Sequence, residues 1–204
     1  IAIIDGNLTL SLPLDISITT IMDALSHSFE SIWNKNANSK STGYAIKAIC
    51  TILDNIDNFK ENPLDLEVRH KLLKASTVAG LAFSNTSTAA AHSISYPLTI
   101  HYGIPHGIAS SISIIPLLDI NGKYIKSSLD RIQNKMQITY DELIAKIRDI
   151  PNKIIPYTLY EWKVPEEKLP ELRDESFTKG RMDNNIIDLT SDDVFNILKK
   201  IFKR

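Results

Sequence analysis

The chain of 204 residues has one cysteine, no excess of either charge and no long apolar run. The single cysteine, Cys50, excludes an internal disulfide, and its apolar neighbours predict a buried, unreactive thiol that fits a reducing compartment. Because 23 basic residues are balanced by 24 acidic ones, no strongly positive surface is expected for a nucleic acid. The apolar run over residues 108–118 is too short and too rich in serine to span a membrane, and the first residues lack the basic start of a signal peptide. We therefore expect a cytoplasmic protein without a nucleic-acid or membrane partner.

Glycine is also scarce, with seven residues at positions 6, 43, 80, 103, 107, 122 and 180. None of them forms a glycine-rich turn between a strand and a helix, which is the feature that cradles the phosphates of a dinucleotide. The sequence therefore predicts no nucleotide-binding turn within these residues.

Helical periodicity runs through most of the chain, whose 43% hydrophobic content suffices for the core of one domain, alone or with an appendage. One helix is predicted around the three alanines before His92, and Pro97 is expected to kink or end this helix. The run Ile1 to Ile4 predicts a short strand whose partner is missing from the sequence. The fold class is thus predicted to be all-α with one N-terminal strand. The other predicted helices cover residues 17 or 19 to 33, 41–61, 64–83, 107–118, 124–135, 140–147 and 192–202.

Three of the five histidines lie between Ala89 and Pro116. Imidazole is the commonest protein ligand for transition metals, and His106 stands in a Pro-His-Gly turn that can aim its ring inward. A histidine in an apolar stretch is, however, more often a hydrogen-bonded core residue. His92 and His106 are therefore candidate metal ligands on this stretch alone.

A second candidate pair lies on the first predicted helix, where Asp23 and His27 are four residues apart and share one face with Glu30. Such a pair is often only a surface contact, but a buried carboxylate on an apolar helix needs a partner charge. Together with His92 and His106, the pair offers one carboxylate and three imidazoles. This donor set suits Fe²⁺ or Zn²⁺ rather than Ca²⁺ or Mg²⁺.

Three segments resemble the iron-containing (group III) alcohol dehydrogenases in order and spacing. They are DALSHSFE from Asp23, AGLAFSN from Ala79, and His92 followed fourteen residues later by His106 within Pro-His-Gly. The resemblance implies a helical domain of the dehydroquinate-synthase-like type, with Asp23, His27, His92 and His106 as the metal ligands. The stretch FTKGRMDNN from Phe177 is similar to the subgroup that includes phosphonoacetaldehyde reductases.

The resemblance also implies the reaction and the domain organisation. Family members interconvert an alcohol and an aldehyde or ketone, with a metal on the substrate oxygen and hydride exchanged with NAD or NADP. Residues 1–13 are then expected to be the last strand and crossover of a missing nucleotide-binding domain, and residues 14–204 the helical metal-binding domain. We expect little activity from the isolated chain, and either a homo-oligomer or docking to an N-terminal nucleotide-binding domain.

One departure from the family pattern leaves other functions open. Many members carry a second histidine where this chain has Tyr96, so the proton-relay role of that histidine is in doubt. His101 either takes the place of that histidine or is simply a surface residue. His70 is expected to be solvated. The alternatives are a different reaction on the same scaffold and an inactive, metal-stabilised structural or interaction module.

Overall fold

The computed structural model describes residues 3–203, and all regular structure within this range is helical. None of the described helices is both long and apolar enough to cross a membrane. The all-α fold class is confirmed. The α-helices within residues 3–203 are α1 (Leu14–Ile32), α2 (Ser39–Glu61), α3 (Leu66–Phe83), α4 (Ala90–Tyr102), α5 (His106–Ser111), α6 (Ile114–Asn121), α7 (Lys126–Met136), α8 (Tyr140–Asp149), α9 (Leu169–Glu175) and α10 (Ser191–Phe202).

The first three helices pack closely on one another and supply a large share of the core. The apolar stripe of α1 is buried, including Phe29, whose ring stacks on Trp33 at 5.8 Å between centroids. The start of α2 is defined by Asn38, whose side chain accepts hydrogen bonds from the first turn of the helix. Cys50 of α2 is buried and burial raises its pKa, which agrees with the prediction of an unreactive thiol.

The middle of the chain is largely buried, and one predicted helix there differs from the structure. The helix α4 continues through Pro97 to Tyr102, so Pro97 does not end it. The single helix predicted over residues 107–118 is wrong, because α5 ends at Ser111 and α6 begins at Ile114. A continuous helix would direct the ring of Pro116 against the preceding turn, whereas the first turn of a new helix tolerates a residue without an N–H.

Among the later helices, α7 packs on α2, α9 on α4, and α10 on α6 and α9. Thr139 and Thr190 cap α8 and α10 through reciprocal hydrogen bonds with an acidic residue three positions later. The only strand-like pairing within residues 3–203 is an isolated antiparallel bridge between Asn34 and Asn185. It ties the end of α1 to the segment before α10.

The predicted N-terminal strand is not present in its described part. Ile3 and Ile4 have no regular structure, while Ile1 and Ala2 lie outside the described residues. A short 3-10 helix, Gly6–Thr9, follows and packs on α3. A strand forms only when its backbone hydrogen bonds find a partner, and no partner strand lies within residues 3–203.

Candidate metal centre

Helix α1 carries the first two predicted ligands on one face. Asp23 and His27 are one turn apart, and their Oδ2 and Nε2 atoms lie 3.4 Å from each other. Both side chains are partly buried, at 28% and 18% exposure, so the pair is more than a solvated surface contact. The apolar residues around them on α1 pack into the core and hold this face toward α4 and α5.

Helix α4 brings His92 to the same place. Its Nε2 lies 3.6 Å from Oδ1 of Asp23, and its ring stacks on His27 at 4.3 Å between centroids. Asp23, His27 and His92 each offer a ligand atom, and these three atoms all lie within 4.8 Å of one another. The packing of α1 against α4 thus brings the Asp23–His27 pair together with a third donor that is 65 positions away from His27 in sequence.

His106 stands at the rim of this group. As the first residue of α5, it places Nε2 3.7 Å from Oδ1 of Asp23, while its side chain remains 45% exposed. The ring centroids of His106 and His92 are 5.2 Å apart. The fold therefore brings all four predicted residues together, three of them closely and His106 on the open side.

The buried Glu30 holds His92 in position. It is completely inaccessible, and it accepts a hydrogen bond of 3.0 Å from the His92 backbone N–H. Its other carboxylate oxygen lies 2.6 Å from Nδ1 of His92. Because the carboxylate can only accept, the proton resides on Nδ1, and Nε2 is left facing Asp23.

Two further residues shape the group, and the sequence analysis assigned neither a role. Phe83 stacks on the outer face of the His27 ring at 4.3 Å, so that His27 lies between Phe83 and His92. Ser110 of α5 donates a 3.0 Å hydrogen bond to Oδ1 of Asp23. Phe83 belongs to the AGLAFSN segment, and Glu30 belongs to the DALSHSFE segment. Their place in these two motifs is the only feature of the sequence that points to a role for Phe83 and Glu30 at the site.

The close approach of α5 to α1 depends on Gly107. A Cβ built at this position would lie 2.1 Å from the backbone oxygen of Thr19 and 2.9 Å from Cβ of Asp23. No side chain fits at such distances, so a glycine after His106 is a steric requirement of the site.

The charges of the group are mutually dependent. Burial opposes ionisation of Asp23, but hydrogen bonds and charge from His27 and His92 outweigh it and lower the pKa of this carboxyl. Burial likewise disfavours a charged His92, yet the adjacent Glu30 and Asp23 raise its pKa to about 9. The pKa of His106 is lowered by burial and by the charges of His92 and His27.

The donors present fit a transition metal. The buried Nε2 of His92, which faces Asp23, has no hydrogen-bond partner within residues 3–203, and leaving such an atom unpaired is costly. One carboxylate with imidazole nitrogens matches the preference of Fe²⁺ or Zn²⁺, and the exposed side near His106 leaves room for a further ligand.

The other histidines lie away from this centre. His101 is on the surface, with Nε2 2.5 Å from Oε2 of Glu175 on α9. His70 is exposed, as predicted. Tyr96, one turn after His92 on α4, is half-buried beneath the guanidinium of Arg181.

Comparison with known proteins identifies the family. The model of the C-terminal part of the Fe-containing alcohol dehydrogenase family matches residues 17–202. The chain belongs to this family. It is similar to long-chain-alcohol dehydrogenase 1 of Geobacillus thermodenitrificans, with 29% identity over 89% of this chain and 49% of that protein. It is also similar to 4-hydroxybutyrate dehydrogenase of Clostridium kluyveri, with 27% identity over 94% of this chain and 54% of that protein.

A solved structure has a similar fold. Sulfoacetaldehyde reductase from Bifidobacterium kashiwanohense, determined in complex with NAD+, superposes with a TM-score of 0.88 and 27% identity. The match covers 98% of this chain and 53% of that one. The chain thus spans about half the length of the curated relatives it matches.

Proposed function

We propose that this chain is the metal-binding half of an oxidoreductase that interconverts an alcohol and an aldehyde or ketone by hydride exchange with NAD or NADP. Family membership supports the class of reaction. The observation that carries the proposal is the convergence of Asp23, His27 and His92, with His106 on the exposed side. The resemblance of the C-terminal segment to phosphonoacetaldehyde reductases stays a prediction.

The proposed ligands are Asp23, His27, His92 and His106. A metal held by them would act as a Lewis acid that lowers the pKa of an alcohol and stabilises a developing alkoxide. The chain itself orients the ligands: Glu30 keeps the proton on Nδ1 of His92, and Phe83 and His92 enclose the ring of His27. The buried walls formed by α1 and α4 exclude water from the inner side of the group.

The nicotinamide cofactor is proposed to bind mainly outside this chain, because residues 1–204 contain no glycine-rich phosphate turn. Exposed apolar side chains near the N-terminus, among them Ile3 and Leu8, agree with docking of a nucleotide-binding half. The substrates would be small alcohols or aldehydes.

Elemental analysis after anaerobic purification tests the proposal. We expect about one Fe or Zn per chain, lost in His92→Ala and strongly reduced in His106→Ala, with His70→Ala as the matched control on the surface. Oxidation of NADH and NADPH by aldehydes is then measured in the longest natural polypeptide that contains residues 1–204. A folded protein that binds no metal would overturn the proposal.

A further inference from the structure

Arg181 carries a guanidinium group that has no polar partner among the described residues. The residue is half-buried, and its Nε is inaccessible and makes no hydrogen bond. Within residues 3–203, no carboxylate, carbonyl or hydroxyl is bonded to any nitrogen of this side chain, and its Cζ lies 5.0 Å from the centroid of the Tyr96 ring. Arg69, which is also buried, instead donates to the backbone oxygens of Pro63, Thr9 and Leu12. An unpaired buried donor is costly, so the arrangement of Arg181 requires an explanation.

Arg181 lies against the helix that carries His92, through its contact with Tyr96. Tyr96 follows His92 by four residues on α4, so the two side chains project on the same side, with Cβ atoms about 5–6 Å apart. The hydroxyl of Tyr96 makes no hydrogen bond to another residue within 3–203. Within residues 3–203, the guanidinium of Arg181 thus lies without a polar partner over the ring of Tyr96, and Tyr96 itself is one helical turn from a proposed metal ligand.

The segment that carries Arg181 is fixed against α4. Ser93, the residue after His92, donates to the backbone oxygen of Ser176 at 2.5 Å and accepts from the N–H of Thr178 at 3.1 Å. On the other side of Arg181, the amide of Asn184 donates to the backbone oxygen of Thr88 at 2.9 Å. These hydrogen bonds hold Arg181 in place before any ligand arrives, which lowers the entropic cost of binding.

We propose that Arg181, together with Tyr96, binds the anionic end of a short substrate whose alcohol or aldehyde carbon reaches the metal centre. The guanidinium presents paired donors that match a carboxylate, phosphonate or sulfonate, and an anion would supply both the missing hydrogen bonds and the missing counter-charge. This inference rests on the proposed function and narrows its substrates to small anionic alcohols and aldehydes.

Kinetics with matched probes test the inference in the longest natural polypeptide that contains residues 1–204. The probes are 4-oxobutanoate, phosphonoacetaldehyde and sulfoacetaldehyde, which differ in their anionic group, and butanal, which is neutral. The measured quantity is kcat/KM for the preferred anionic aldehyde divided by kcat/KM for butanal. We expect this ratio to fall at least tenfold in Arg181→Met and to recover in part in Arg181→Lys. Arg173→Met, which removes a surface arginine paired with Asp174, should leave the ratio unchanged.

Calorimetry separates this inference from the proposed reaction. Binding of 4-hydroxybutanoate, 2-hydroxyethylphosphonate, 2-hydroxyethanesulfonate and butan-1-ol is measured on the metal-loaded protein, wild type and Arg181→Met. An anion that binds to the wild type and not to Arg181→Met supports the inference. If such binding is seen but no aldehyde is reduced, the proposed reaction fails and the inference stands. Reduction of butanal with no preference for any anionic aldehyde, or an unchanged ratio in Arg181→Met, overturns the inference and leaves the proposed reaction standing.

Discussion

Glu30 accepts one hydrogen bond from the backbone N–H of His92 and another from the Nδ1 of the same residue, at 3.0 and 2.6 Å. A single carboxylate thus determines both the position of the residue and the direction of its ring. Since Glu30 is inaccessible to solvent, its negative charge is balanced inside the protein.

The substitution Glu30→Gln tests this role. An amide of the same size loses the charge that keeps Nδ1 protonated and Nε2 free, so we expect metal affinity to fall about 10–100-fold. Competition with a chelator of known affinity measures the change. Glu175→Gln is the matched control, because it removes the carboxylate that pairs with His101 on the surface. Equal metal affinity in Glu30→Gln and wild type, with both folded, would contradict the role.

Gly107→Ala tests the packing of α5 on α1. Because the added Cβ would meet the backbone oxygen of Thr19, the helices must move apart, and we expect a loss of roughly 1–3 kcal/mol in the free energy of unfolding. Metal content should fall as well, since His106 is the preceding residue. Gly43→Ala in α2 is the control, because nothing lies within 4 Å of a Cβ there. That control should be stabilised by roughly 0.5–1 kcal/mol.

Arg69→Met tests how the N-terminal segment is held. The guanidinium of Arg69 donates to the backbone oxygens of Thr9, Leu12 and Pro63, and no carboxylate within residues 3–203 pairs with it. Without these donors we expect faster hydrogen exchange and earlier proteolytic cleavage over residues 5–13. Lys71→Met, on the exposed side of α3, should leave both unchanged. If cleavage in Arg69→Met were as slow as in wild type, other contacts would hold this segment.

The amides of Asn121 and Asn185 form a reciprocal buried pair, with hydrogen bonds of 2.9 and 3.1 Å. Either change to alanine leaves the other amide buried and incompletely bonded, so each should cost roughly 1–3 kcal/mol in the free energy of unfolding. The double variant should lose less than the sum of the two, as urea unfolding of all four proteins would measure. Strict additivity would show that the two amides act independently.

The site residues could be named from the sequence because their motifs are local. Asp23, His27 and Glu30 share a helix face by periodicity alone, and the turn around His106 is marked by its flanking proline and glycine. Their convergence was inferred from family resemblance, since periodicity says nothing about which helix packs against which. The roles of Glu30 and Phe83 depend on distances across helices and could not be predicted from spacing.

The boundaries of the helices were predictable to within a few residues where an apolar stripe met a capping residue, as for α2, α8 and α10. The prediction was wrong where continuous apolar sequence carried no periodicity, over residues 107–118. There the steric effect of Pro116 decided that two helices form.

By itself, the sequence determined the helical class, the family and the identity of the candidate ligands, because periodicity, capping and motif spacing are local properties of the chain. Only the tertiary structure decided that His92 is held by Glu30, that His106 stands on the open side, and that Arg181 lies unpaired on Tyr96. Such contacts join residues that are far apart in the sequence. Glu30 and His92 are 62 positions apart, and Ser93 and Thr178, which fix the segment of Arg181 against α4, are 85 positions apart. Contacts of that range arise from the packing of buried surfaces, which no local pattern encodes.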